Sequence, residues 1–144
     1  MNESEIREKL ERAVNTLFSK QPNIFEFTPE TGQSEWNLAH HLAIEIHKMF
    51  PELDCDFDVV KVNLKNRRPD VIFHKRGTHE SNYLVIEVKR DGHPADIRDD
   101  IKKIKSYWFE DQVHYRFGAV INLKGNKTYQ IEVIQNNKAV RKSE

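Results

Sequence analysis

Cysteine is almost missing from this chain. Cys55 alone cannot close an internal disulfide, and no cysteine cluster is present to bind zinc. Long apolar runs are missing too. Stretches such as Tyr83–Val88 fall far short of the roughly 18 residues that suggest a membrane span. The N-terminus, Met1-Asn2-Glu3-Ser4-Glu5, is acidic and has no signal-peptide apolar core, so the expectation is a soluble cytoplasmic domain with no membrane partner. No repeat, low-complexity tract or interdomain linker interrupts it. Net charge is zero, which disfavours a general nucleic-acid-binding module.

What is present is a charged, aromatic-rich chain of ordinary domain size. Its 144 residues are 32% charged and 38% apolar, with eight Phe, four Tyr and two Trp. That is too aromatic for a disordered chain and too polar for a membrane protein. One domain of this length buries about 68–70% of its unfolded surface, so folding requires neither disulfide nor structural metal. Charge is uneven along the chain: residues 1–60 carry five Lys/Arg against twelve Asp/Glu, and residues 61–144 carry eighteen against eleven. One basic face is a reading of this; scattered surface charge is the other.

Residues 1–33 read as an N-terminal helix and connector, 34–135 as the core, and 136–144 as a frayed tail. Ile6, Leu10, Val14 and Leu17 recur at helical spacing over Asn2–Lys20, and Asn2 with Glu5 has capping-box form. The helix either covers the sheet or makes a homodimer contact. Pro22, Pro29 and Gly32 mark the connector. A second helix is predicted over Ser34–Phe50, stopped by Pro51, with Ala39, Leu42, Ala43, Ile46 and Met49 inward. Strands follow at Asp56–Leu64, Asp70–Lys75 and Tyr83–Lys89. A helix over Asp96–Asp111, opened by Pro94, carries Ile97, Ile101, Ile104 and Trp108 on one stripe. Tyr115–Leu123 and Thr128–Ile134 are the last two strands. The order implies an antiparallel three-strand meander, then a crossover helix to a parallel fourth strand. The fold class is an α/β sandwich around a mixed sheet.

In the third strand, alternation sets Leu84, Ile86 and Val88 on one face and Val85, Glu87 and Lys89 on the other. Glu87 and Lys89 are then neighbours about 6.6–7 Å apart along the strand. Asp70, directly after Pro69, opens the preceding strand and comes beside them across an antiparallel hairpin. Carboxylates brought together in this way repel unless a cation or proton joins them.

Pro69-Asp70, sixteen residues, then Glu87-Val88-Lys89 resembles the PD-(D/E)XK signature of restriction-endonuclease-like nucleases. The element order from Ser34 to Ile134 is similar to that family's core. The resemblance implies a three-layer α/β/α sandwich with an αβββαβ core, here preceded by an extra N-terminal helix. It also implies a Mg²⁺- or Mn²⁺-dependent nuclease, in all expectation an endonuclease on DNA in repair, recombination or defence, with RNA left open. Asp70, Glu87 and the Val88 carbonyl would be metal ligands, Glu35 would help hold the metal, and Lys89 would position the attacking water and steady the phosphate. Oxygen-only ligands suit those ions, and a metal can generate the nucleophile. No Ser-His-Asp elbow, Walker loop, HExxH or dinucleotide fingerprint competes.

Each residue has a plainer reading. Glu87 on a strand's solvent face, Asp70 ending a turn, Glu35 favoured by a helix dipole, and Lys89 with Arg90 in a basic loop are the alternatives. Lys61, Lys65, Arg67 and Arg68, and Lys102, Lys103 and Lys105 with Tyr107, are candidate phosphate contacts or solvated surface. Asp100-Ile101-Lys102 also matches the short motif but reads as a solvated helix face. His41 and Glu45 have i, i+4 ligand spacing without a further ligand, and with His40 and His47 read as rim residues. Cys55 reads as a small buried hydrophobe. The chain is too short for a separate recognition domain, so dependence on a larger complex stays open. The competing class is a catalytically inactive nuclease-like module used for binding.

Overall fold

In the computed structural model, residues 1–26, 32–58, 70–77, 82–111 and 113–138 are described. Helix α1 spans Glu3–Lys20. Its capping box forms as the sequence implies: Asn2 Oδ1 accepts the Glu5 N–H at 2.9 Å, and Glu5 Oε1 accepts the Asn2 N–H at 3.3 Å. Ile6, Leu10, Ala13, Val14 and Leu17 are fully buried against β5 (Tyr129–Gln135) and α2 (Gly32–His47) of the same chain. The stripe therefore covers the sheet and is not a dimer contact.

Helix α2 buries Leu38, Ala39, Leu42, Ala43 and Ile46. It stops short of the predicted end at Phe50. The Met49 and Phe50 N–H groups bond back three residues, to Ile46 and His47 oxygens, so the chain tightens ahead of Pro51.

The sheet has five strands in the order β1-β2-β3-β4-β5, with β1 at Asp54–Asp58, β2 at Asp70–His74, β3 at Leu84–Arg90 and β4 at Phe117–Leu123. Strands β1, β2 and β3 form the antiparallel meander, β3 pairs β4 in parallel, and β5 returns antiparallel. The predicted extension of the first strand to Leu64 lies outside the described residues. Helix α3, Pro94–Lys103, makes the crossover and continues as a π-helical turn over Ile104–Trp108. There the Phe109 N–H bonds the Ile104 oxygen five residues back, which the helical stripe did not foretell.

The sheet is apolar on both faces. Leu84, Ile86, Val88, Ala119 and Ile121 meet α1 and α2 on one side. Val85, Val120 and Ile72 meet Ile104, Trp108, Phe109 and Tyr115 on the other. This is a mixed α/β architecture with helices on each face, as the alternation in β3 requires. Asn136 is not frayed: it is buried, and its Nδ2 donates to the Tyr115 oxygen at 2.9 Å.

Gly118 shows how closely the crossover lies on β4. A Cβ there would stand 2.5 Å from Ile104 Cγ2, a branched side chain with no exposure. Gly118→Ala is expected to destabilise the protein by about 1–3 kcal/mol through overpacking, read as a lower urea midpoint with unchanged slope.

Candidate functional site

Strand β3 is covered on both faces through Lys89, and Arg90 at its end is partly exposed. Glu87 is 1% exposed and Lys89 4%. Buried charges of this kind persist only when paired. Helix α3 supplies the partners. Lys89 Nζ lies 3.0 Å from Asp100 Oδ2, an ion pair rather than an aligned hydrogen bond. Lys103 Nζ pairs with Glu87 Oε1. Asp100 and Lys103 stand one turn apart on α3, as Glu87 and Lys89 stand two residues apart on β3, so four charges interlock between strand and helix.

Asp100 corrects the sequence reading. It was expected on a solvated face and is 4% exposed. The signal was there: position 100 falls three residues after Ile97 and four before Ile104, on the inward stripe. Lys103 likewise leaves the exposed lysine run. Lys102 and Lys105 remain exposed, as does Tyr107, whose ring packs edge-on to Trp108. Lys61, Lys65, Arg67 and Arg68 lie outside the described residues.

The turn joining β3 to α3 is tied to the neighbouring strand. Asn122 on β4 stands in register with Lys89 and is buried; its Oδ1 accepts the Gly92 N–H at 2.9 Å and its Nδ2 donates to the Gly92 oxygen at 3.1 Å. A Cβ at Gly92 would lie 3.2 Å from Lys89 Cβ, so the turn runs directly over the lysine stem. Asn122, absent from the sequence-derived candidates, thus holds the frame around Lys89.

Asp70 opens β2. Its ladder with β3 closes at the Val71–Ile86 pair, so Asp70 adjoins the last pair on β2 and Glu87 follows it on β3.

Glu35 approaches from α2, on the other sheet face. Its Oε2 accepts the Arg90 N–H at 3.1 Å. The Asp91 N–H, one residue past β3, bonds the Leu123 oxygen of β4 at 2.8 Å, so by strand alternation Glu87 and Lys89 turn their peptide groups that way. Val88 and Arg90, even-numbered, turn theirs to the β2 side. The Glu35 carboxylate and the Val88 carbonyl therefore share the β2-side edge at the end of β3, and Glu35 meets the strand's backbone there.

The oxygen donors at this strand end are carboxylates and a peptide carbonyl, the set a hard divalent cation prefers. Among the described residues no three His, Cys, Asp or Glu side chains gather at metal-ligand spacing, and the Asp70 side chain is not one of those described. The donor types fit Mg²⁺ or Mn²⁺.

The remaining candidates are structural. His41 Nδ1 contacts Gln21 Nε2 at 3.1 Å, and burial, followed by the nearby His40, lowers its pKa. Glu45 is buried between Lys20 and Lys48, at 3.3 and 3.1 Å. Cys55 packs against the core, and burial pushes its thiol up to about 11.

A second charged group lies where β1 meets β2. Arg76 Nη2 lies 2.7 Å from Asp56 Oδ1, and His74 Nε2 lies 2.7 Å from Asp56 Oδ2. The Arg76 hydrogen bond, helped by His74 and opposed by partial burial, holds the Asp56 carboxyl at about 2. A depressed folded value means the stabilisation is complete above the unfolded value of roughly 3.9 and is lost as pH falls through about 2. At this partly exposed site it is worth about 1 kcal/mol or less. Arg76→Ala is expected to move the Asp56 titration back toward the ordinary range, followed by carboxyl NMR shifts.

Fold and site together define a mixed α/β domain with a four-charge cluster buried under its crossover helix. Comparison with protein-family models, curated proteins and solved structures returned no match. No helix among the described residues is long and apolar enough to cross a membrane.

Proposed function

We propose that this chain is a metal-dependent nuclease of the PD-(D/E)XK type, its core over residues 34–135, hydrolysing phosphodiester bonds of DNA. The observation that carries the reading is the burial of Glu87 and Lys89 side by side on β3, whose ladder with β2 closes at the Val71–Ile86 pair next to Asp70. A strand end that could hold valines holds charges instead, at a cost in desolvation that packing alone does not require.

Glu87, the Val88 carbonyl, Asp70 and Glu35 would hold Mg²⁺ or Mn²⁺. The chemistry the ion supplies when bound is a more acidic water and neutralisation of phosphate charge. Lys89 carries three N–H donors, of which the Asp100 pair orients the ammonium. Its remaining donors are directed to the attacking water and a non-bridging phosphate oxygen. Asp100 supplies the opposite charge beside that buried ammonium. Lys102, Lys105 and Tyr107 offer an exposed surface on the same helix and turn for the nucleic-acid backbone.

One observation favours a second reading. The Lys103 ammonium already pairs with Glu87, which suits a nuclease-like module that binds without cutting. Supercoiled and branched DNA, with labelled RNA in parallel, incubated with Mg²⁺, Mn²⁺ or EDTA separates the two. Nicking or linearisation with metal and none with EDTA is the expected result. Cleavage that survives EDTA overturns the metal role, and binding without cleavage on every substrate selects the inactive module.

A further inference from the structure

We propose that Lys103 is a built-in competitor for the divalent cation, occupying Glu87 in the metal-free protein and leaving it when metal binds. The inference rests on the metal site proposed above.

The two buried pairs are not equivalent. Lys89 and Asp100 are the more buried pair, with side chains 5% and 6% exposed. In the other pair the Glu87 side chain is 2% exposed and that of Lys103 is 28%. Lys103 therefore reaches the buried carboxylate from the solvent side, with part of its stem already in water. It is the last residue of α3, directly before the π-helical turn. A lysine side chain there can withdraw by rotating about its own bonds, without moving the helix.

Withdrawal follows from the shared oxygen: Lys103 Nζ sits on Glu87 Oε1, where a cation held by Glu87 has to come close. Lys89 is held by Asp100 and has nowhere to go. Lys103 does, and an ammonium a few ångströms from a divalent ion is strongly repelled where water is scarce. Lys103 also raises the metal concentration needed to fill the site. Once released, its charge joins the exposed Lys102 and Lys105 on the side a phosphate backbone approaches.

The test uses the full chain and Mn²⁺ alone, with free Mn²⁺ followed by electron paramagnetic resonance. Lys103→Gln is expected to bind Mn²⁺ at least tenfold more tightly than wild type. Lys127→Gln, which removes an equal charge from the exposed β4–β5 turn, is expected to bind as wild type does. Equal affinity in wild type and Lys103→Gln, lost in both on Glu87→Gln, keeps the metal site and overturns the competition. No Mn²⁺ binding by either protein overturns the metal site and the competition with it. A second measurement needs no variant: amine acetylation of wild type, read by mass spectrometry with and without saturating Mg²⁺. Metal is expected to raise Lys103 labelling several-fold while Lys127 is unchanged, and equal Lys103 labelling overturns the proposal even if Lys103→Gln fails to fold.

Discussion

Lys89→Ala is expected to slow metal-dependent DNA cleavage by about 10²–10³-fold or more, the usual consequence of deleting one donor aimed at developing charge. The loss belongs in the single-turnover rate at saturating Mg²⁺, with Mn²⁺ affinity close to wild type, because Lys89 acts on water and phosphate and is not a ligand. Asp100 complicates the single variant, since removal of the lysine leaves a carboxylate 4% exposed without its cation. Lys89→Met combined with Asp100→Asn removes both charges, keeps much of the lysine stem's volume, and should be as slow as Lys89→Ala. A double variant that cuts at the wild-type rate would remove Lys89 from the mechanism.

Asp100→Asn is expected to cost about 3–5 kcal/mol of folding stability, whatever the site does. Lys89 would keep its charge in a pocket where its side chain is 5% exposed and would lose the carboxylate 3.0 Å away. Breaking one half of a buried pair has a cost of that order, and replacing both halves by apolar groups is often neutral or favourable. The double variant Lys89→Met/Asp100→Leu should therefore recover most or all of the loss. Urea unfolding of the four proteins gives the coupling directly. Asp100→Asn within 1 kcal/mol of wild type would mean that the ion pair contributes little and that Lys89 finds other compensation.

Much of this molecule was legible in one dimension. The Asn2–Glu5 capping box and the Ile6-Leu10-Val14-Leu17 stripe define α1 because both are local, depending on contacts three or four residues apart. The element order, and the split of β3 into an Ile86 face and a Glu87 face, follow from period 2 against period 3.6. Hairpin connectivity likewise predicted β2 and β3 as antiparallel neighbours, and they pair from Phe73–Leu84 to Val71–Ile86. The π-helical turn at Ile104–Trp108 left no comparable trace, because it answers to packing against β4 at Gly118.

The partnerships of the charges were a different matter. Periodicity alone identifies Asp100 as a polar residue near an apolar stripe, and polar residues on amphipathic helices are ordinarily solvated. Its burial follows from docking α3 over a strand that already carries Lys89, and Lys103 is drawn to Glu87 by the same geometry. Glu35, predicted on the inward stripe of α2, is carried by that helix to the opposite sheet face and meets the strand at the Arg90 N–H. The sequence by itself determined which charges β3 carries and on which face, because a strand's alternation is a property of its own backbone. Only the tertiary structure decided which charges answer them. Asp100 and Lys103 are distant from Glu87 and Lys89 along the chain, and a buried ion's partner is chosen by the distance and desolvation that packing brings about.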